Sequence, residues 1–196
     1  MKSSNSSQKT LSPADMLKME AEILKKASDS EFEFRHLRRD DFEKGFLDTL
    51  SQLTVVGQVT KEDFEKRFDE MFPKRQEIYK IIVLLDKRAD YIIGAGTVFF
   101  EKKFIRNTST CGHIEDVNVD STYRGNNLGV RMINILKEIS CLNNCYKIIV
   151  DCADHNIKFY ELVTIFQSFN INSVASNQRK DVCAGIVTRV DDDQIT

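Results

Sequence analysis

The stretch Tyr123-Arg124-Gly125-Asn126-Asn127-Leu128-Gly129 sits where a strand pattern ends and a helix pattern begins. Upstream, His113-Ile114-Glu115-Asp116-Val117-Asn118-Val119 reads as a strand; downstream, Leu128, Met132, Ile135, Leu136 and Ile139 recur at helical spacing. A glycine-bearing turn that enters a helix leaves backbone N–H groups unpaired and directed outward, where the helix dipole favours an anion. Arg124 adds a fixed positive charge suited to a polyphosphate. The turn has neither the Gly-Lys-Ser/Thr of a Walker loop nor the dinucleotide fingerprint. A plain tight connection is the alternative reading of the loop by itself.

The strand before the loop is irregular. Ile114, Val117 and Val119 are apolar, so the period-2 alternation slips by one residue between 114 and 117, as a β-bulge requires. Such a bulge splays the strand and frees a backbone N–H near Val117 for a ligand. Further upstream, Ile78 to Leu85 and Tyr91 to Phe100 are β-rich runs around the charged turn Asp86-Lys87-Arg88-Ala89-Asp90, an antiparallel hairpin. That order departs from the repeated βαβ pattern of a dinucleotide fold.

Before the hairpin, Phe32 and Phe34 suggest a first strand, and Asp40 is expected to cap a helix carrying Phe42, Phe46, Leu50 and Leu53. Thr60 with Asp63 three residues on starts a second helix, closed by Pro73. A third strand is expected over 112–119, a helix over 127–142, a strand from Tyr146 to Ala153, and a helix from Asn156 to about Phe166. Strand-like residues reappear between 171 and 190. Ser12 and Pro13 open an appended helix over 12–27, and residues 1–10 read as disordered.

With 196 residues, 41% hydrophobic and 30% charged, the chain can bury one domain plus a tail. A net charge of −2 gives no electrostatic case for a nucleic-acid partner. No apolar run approaches the roughly 18–20 residues of a membrane span, and no signal peptide is recognisable. Five cysteines without CxxC spacing suggest free thiols in a reducing compartment. The three histidines are scattered, so no metal is expected.

Arg124-x-x-Asn127-x-Gly129 resembles the pyrophosphate-binding signature Gln/Arg-x-x-Gly-x-Gly/Ala of the general N-acetyltransferase (GNAT) superfamily, with Asn127 in place of the middle glycine. Cys111-Gly112-His113-Ile114-Glu115-Asp116-Val117, Asn144-Cys145-Tyr146-Lys147-Ile148-Ile149, Asn156-Ile157-Lys158-Phe159-Tyr160, Gln52-Leu53-Thr54 and Lys102-Lys103-Phe104-Ile105 look like the glucosamine 6-phosphate N-acetyltransferase family. The resemblance runs from about Phe34 to Tyr160. It implies an α/β (α+β) GNAT fold: a twisted, mostly antiparallel mixed sheet, splayed at the bulge, with helices on both faces. The division it implies is an N-terminal extension over 1–30, the acetyltransferase domain over 31–190 with an atypical part from 161, and a tail over 191–196.

The implied reaction moves the acetyl group of acetyl-CoA to the 2-amine of glucosamine 6-phosphate, for UDP-N-acetylglucosamine synthesis, without a metal. By resemblance, Glu115 positions or deprotonates the amine, Asp151 orients the sugar, and Tyr160 donates to the leaving sulfur. Backbone at Asp116, Val117, Asn118 and Val119 holds the pantetheine arm, and Arg124, Gly125, Asn126, Asn127, Leu128, Gly129 and Val130 hold the diphosphate. Asn156 also contacts the coenzyme. Thr54, Lys103, Arg106, Tyr146 and Lys147 bind the sugar phosphate beside Glu115, Asp116 and Asp151. A paired strand acid, a salt bridge at Asp151 and a core Tyr160 are the structural alternatives.

After Tyr160 the resemblance stops, and Thr164 stands where relatives have glycine. Family members are homodimers whose last strand supplies a basic residue to the partner's site; Arg179 is the candidate here. A cytoplasmic enzyme, free or peripheral to endomembranes, is expected. Two other readings stay open: an acetyltransferase for another amine, such as a polyamine or protein, and a catalytically silent CoA-binding protein.

Overall fold

Tyr79-Lys80-Ile81-Ile82-Val83-Leu84-Leu85-Asp86 forms strand β2 (Tyr79–Asp86), apolar at nearly every interior position because both of its faces are covered. Ile82 and Leu84 enter one core with Phe34, Val98, Ile114 and the apolar side of a long helix. Ile81, Val83 and Leu85 enter a second core with Phe46 and Phe64. The computed structural model describes residues 12–73, 78–152, 156–160 and 184–189, with the last segment and Asp151 as backbone alone.

Among the described residues, six strands lie in the order of the chain: β1 (Phe32–His36), β2, β3 (Tyr91–Lys102), β4 (Thr110–Val119), β5 (Cys145–Cys152) and β6 (Ala184–Arg189). The first three neighbouring pairs are antiparallel; β4–β5 and β5–β6 are parallel. The mostly antiparallel sheet, the hairpin at 86–91 and helices on both faces are as expected. Strand β4 begins at Thr110, two residues before the 112–119 that its pattern suggests.

Helices α1 (Pro13–Ala27) and α5 (Leu128–Leu142) cover one face; α2 (Phe46–Ser51) and α3 (Lys61–Met71) cover the other. Between β3 and β4 lies a single turn, α4 (Ile105–Thr108), with left-handed backbone at Arg106 and Asn107. The capping box forms as read: Thr60 Oγ1 accepts from the Asp63 amide at 3.1 Å, and Asp63 Oδ2 accepts from the Thr60 amide at 3.2 Å. Gly96 lets α5 lie close on the sheet, since a Cβ there would meet Leu136 Cδ1 at 2.9 Å.

One helix differs from expectation. Asp40 makes no capping hydrogen bond, and the segment splits into a 3-10 turn, Asp41–Lys44, and α2. Gly45 causes the break: its φ is 84°, and the Tyr91 ring occupies the place a Cβ would take. Asp41, one residue on, is the structural acid, accepting from Arg35 at 2.7 and 2.8 Å and from the Arg38 amide at 2.8 Å.

The helix expected over 12–27 forms, with Ser12 Oγ accepting from the Asp15 amide. It packs into the first core through Leu24. Its buried Glu20 pairs with buried Lys80 of β2 at 3.2 Å, and Arg131 of α5 donates to the Ala27 carbonyl. The readings for residues 1–10, for the helix beyond Tyr160, for Thr164 and for Arg179 lie outside the described residues.

Candidate active site at the splayed strands

Strands β4 and β5 pair from Thr110↔Cys145 to Ile114↔Val150 and no further. Past that point β4 continues against β3 to Val119, while β5 continues against β6 to Cys152↔Arg189. The sheet therefore opens between residues 115–119 and the end of β5. The cause is the bulge foreseen in the alternation: Thr97 pairs with Glu115 and Ala95 with Asn118, so Asp116 and Val117 together face Gly96. Asp116 has φ 52°, the left-handed turn that accommodates the extra residue. The Asn118 side chain closes the gap, accepting from the Ala95 amide at 3.1 Å and donating to the Thr49 carbonyl.

Glu115 is half-buried and Asp116 exposed, and both line a cavity of about 410 Å³ beneath α3, walled by Phe68, Phe72, Tyr79 and Phe99. Although solvent reaches Asp116, surrounding protein strips part of its hydration and pushes its carboxyl up. Tyr160, on the helical turn over 157–160, is buried, and its phenol is pushed up to about 12 by desolvation, with Cys152 and Glu115 adding to the shift. Tyr160 packs into the first core with Val150 and Cys152 of β5, the core against which Val117 of the bulge also packs. Phe159, beside Asn156 and Ile157 on that turn, packs edge-on against Tyr160 and stands 3.4 Å from the position of a Gly129 Cβ.

The loop after β4 is held from several directions. Asp120 accepts from the Thr122 amide and hydroxyl, at 2.8 and 2.6 Å, and from Gln52 at 2.7 Å; those Thr122 bonds hold its carboxyl below the usual range. Tyr123 donates to Asp86 at 2.7 Å, and Asn126 donates to the Tyr123 carbonyl at 3.1 Å. Gly125 and Asn127 are left-handed, at φ 89° and 56°. Asn127 can replace the signature's glycine because asparagine is enriched several-fold at positive φ. The first closed helical bond of α5 runs from the Arg131 amide to the Asn127 carbonyl, so the Leu128, Gly129 and Val130 amides precede it. Arg124 is exposed beside them.

A second cluster gathers where β3, β4 and β5 meet at their other ends. Lys103 pairs with Glu101, which also meets His113 at 3.1 Å. Lys147 lies opposite Cys111 in register and 5.8 Å from the Tyr146 ring. Arg106 is exposed on α4, three residues after Lys103. Thr54 closes the end of α2, where its amide donates to Leu50 and nearby Gln52 anchors the loop at Asp120 and Ser121. Asp151 pairs with Thr188 in register; its side chain lies outside the described residues. Nothing local in the sequence gives Gln52, Glu101 or His113 a role; Glu101 and His113 become partners only through the β3–β4 register.

The Acetyltransferase (GNAT) family model matches residues 32–163, from the first strand to just past Tyr160. The chain belongs to the GNAT acetyltransferase family. This GNAT chain is 49% identical over 133 residues to glucosamine 6-phosphate N-acetyltransferase 1 of Dictyostelium discoideum, covering 68% of itself and 83% of that protein. It is 42% identical over 130 residues to the Arabidopsis thaliana glucosamine 6-phosphate N-acetyltransferase, covering 66% and 87%. The crystal structure of the Arabidopsis enzyme superposes on it with a TM-score of 0.65 at 38% identity, covering 76% of this chain and 99% of that one.

Proposed function

We propose that this chain transfers the acetyl group of acetyl-CoA to the 2-amine of glucosamine 6-phosphate. The observation that carries the reading is the opening between β4 and β5 at the bulge that bears Glu115, with Tyr160 packed against the end of β5. The cradle suits the coenzyme's diphosphate: three helix-start amides, two left-handed loop residues and the Arg124 charge stand together. Acetyl-CoA, when bound, supplies the acetyl group as a thioester.

The chain's own groups then meet three chemical needs. The Glu115 carboxylate takes the proton the amine must lose before its lone pair forms the C–N bond. Backbone amides of the bulged segment, Val117 foremost, face the carbonyl oxygen that gains charge as the C–N bond forms and gives it back as the C–S bond breaks. The Tyr160 hydroxyl, kept protonated by its raised pKa, donates to the departing sulfur. Asp116 and Asp151 orient the sugar, and Lys103, Arg106, Tyr146, Lys147 and Thr54 receive its phosphate, with Arg179 supplied to the site of the other copy in the homodimer. Asn156 steadies the pantetheine arm.

In the same reading the enzyme is a cytoplasmic homodimer that supplies UDP-N-acetylglucosamine synthesis. Free thiols at Cys111, Cys141, Cys145 and Cys152 suit a reducing compartment, and β6 offers a sheet edge that a second copy can extend. Among the described residues, no helix is long and apolar enough to cross a membrane.

Thiol release from acetyl-CoA across glucosamine 6-phosphate, a polyamine and a peptide amine tests the proposal. Turnover of the sugar phosphate is expected. Turnover confined to the other amines, or coenzyme binding with no turnover, would overturn it.

A further inference from the structure

Phe99 and Glu101 of β3 lie opposite His113 and Cys111 of β4, so all four share one face of the sheet. Glu101 Oε2 is 3.1 Å from His113 Nε2, and one donor atom from each of Glu101, Cys111 and His113 lies within 4.8 Å of the others. The His113 ring stacks flat on Phe99, with centroids 4.5 Å apart and planes 10° off parallel, which fixes its orientation. The other Glu101 oxygen, Oε1, receives the Lys103 ammonium. One carboxylate is thus divided between an outer cation and the imidazole.

We propose that Glu101, Cys111 and His113 form a zinc(II) site, with Oε2, Sγ and Nε2 as donors and water in the fourth position. Thiolate, imidazole and carboxylate are the three ligand types that zinc favours. Neighbouring ligands around a tetrahedral zinc stand roughly 3.3–3.8 Å apart given its bond lengths, so the trio closes on the ion with small side-chain shifts. Two strands of one sheet hold the donors, and Lys103 steadies the ligating carboxylate as an outer partner. The ion enters past Glu101, whose side chain is 40% exposed, since Cys111 is fully buried.

The charges balance. Burial, joined by the Glu101 charge, pushes the Cys111 thiol up against the pull of Lys147 and Lys103, so the apo site carries a thiol. On binding, the S–H bond breaks, its proton goes to solvent and the S–Zn bond forms, with no change of oxidation state. One thiolate and one carboxylate cancel the ion's two charges, and Lys103 and Lys147 then face a neutral centre.

The test uses the full chain, stripped with chelator and titrated with cobalt(II), then with zinc(II). A cobalt–thiolate absorption band that saturates at one equivalent and is displaced by zinc is expected. Cys111→Ser and His113→Gln should abolish the band, and Glu101→Gln should weaken binding by roughly tenfold or more. Cys141→Ser, on α5, should leave it intact. Thermal melts without metal establish that each variant folds, and His113→Gln carries the test if Cys111→Ser does not. No band at excess cobalt, or an unchanged band in His113→Gln, overturns the site; neither result bears on acetyl transfer.

Discussion

The donor role proposed for Tyr160 rests on its burial. Desolvation, with the charges of Cys152 and Glu115 adding to it, keeps the phenol protonated to a pH near 12, so the part proposed for it is that of a proton donor and not of a base. Tyr160→Phe keeps the packing and removes the donor; kcat should fall by about a hundredfold with the KM for the sugar phosphate little changed. Steady-state thiol release measures both, and a rate equal to the parent's would remove Tyr160 from the chemistry. Asn127 is a different case, because its contribution is conformational. Asn127→Gly should preserve the affinity for acetyl-CoA, whereas Asn127→Val places a β-branched residue at φ 56° and should weaken it. Calorimetry on the two variants separates a backbone role from a side-chain contact.

At the scale of elements, α1 is fastened to the sheet by a charge pair that water barely reaches. Burial raises the Glu20 carboxyl, but the His36 ring and the Lys80 ammonium outweigh it and hold the group below its usual value. His36 Nε2 stands 3.2 Å from Oε1, in a geometry too poor to satisfy that oxygen as a hydrogen bond. A carboxyl lowered in the folded state stabilises above its unfolded value of 4.5, and that stability is lost as pH falls through the folded value. Acid should therefore loosen α1 below about pH 4.5, and Glu20→Gln should flatten that limb of a denaturation-versus-pH curve. Lys80→Met should cost ~3–5 kcal/mol at neutral pH, because it strands the buried carboxylate. Gly96→Ala belongs to the same scale: its methyl meets Leu136 and Met132 of α5, and the overpacking should cost ~1–3 kcal/mol in urea denaturation.

For the molecule as a whole, what could be read from sequence followed the range of the signal. The Thr60 capping box, the 86–91 turn and the slip between 114 and 117 are local, and each appears where its pattern sits. Even the bulge was visible, because a two-residue period cannot hide an inserted residue. The helical pattern over 40–53 breaks in the fold because Gly45, tolerable in a helix by itself, meets Tyr91 from a distant strand in the space beside it. The docking of α1 and the Glu101–Cys111–His113 grouping were equally out of reach, since both depend on registers between strands and helices far apart in the chain.

The extra residue in β4 has a consequence that no active-site side chain controls. A strand one residue shorter between Ile114 and Asn118 would match its neighbours on both sides and zip the cleft shut, carboxylate, tyrosine and phosphate loop all still present. Deleting Val117 should thus yield a folded, inert protein whose amides after Glu115 exchange with deuterium more slowly than before. Catalysis in this chain would then be a property of a miscounted ladder, and the residues around it tenants of that gap.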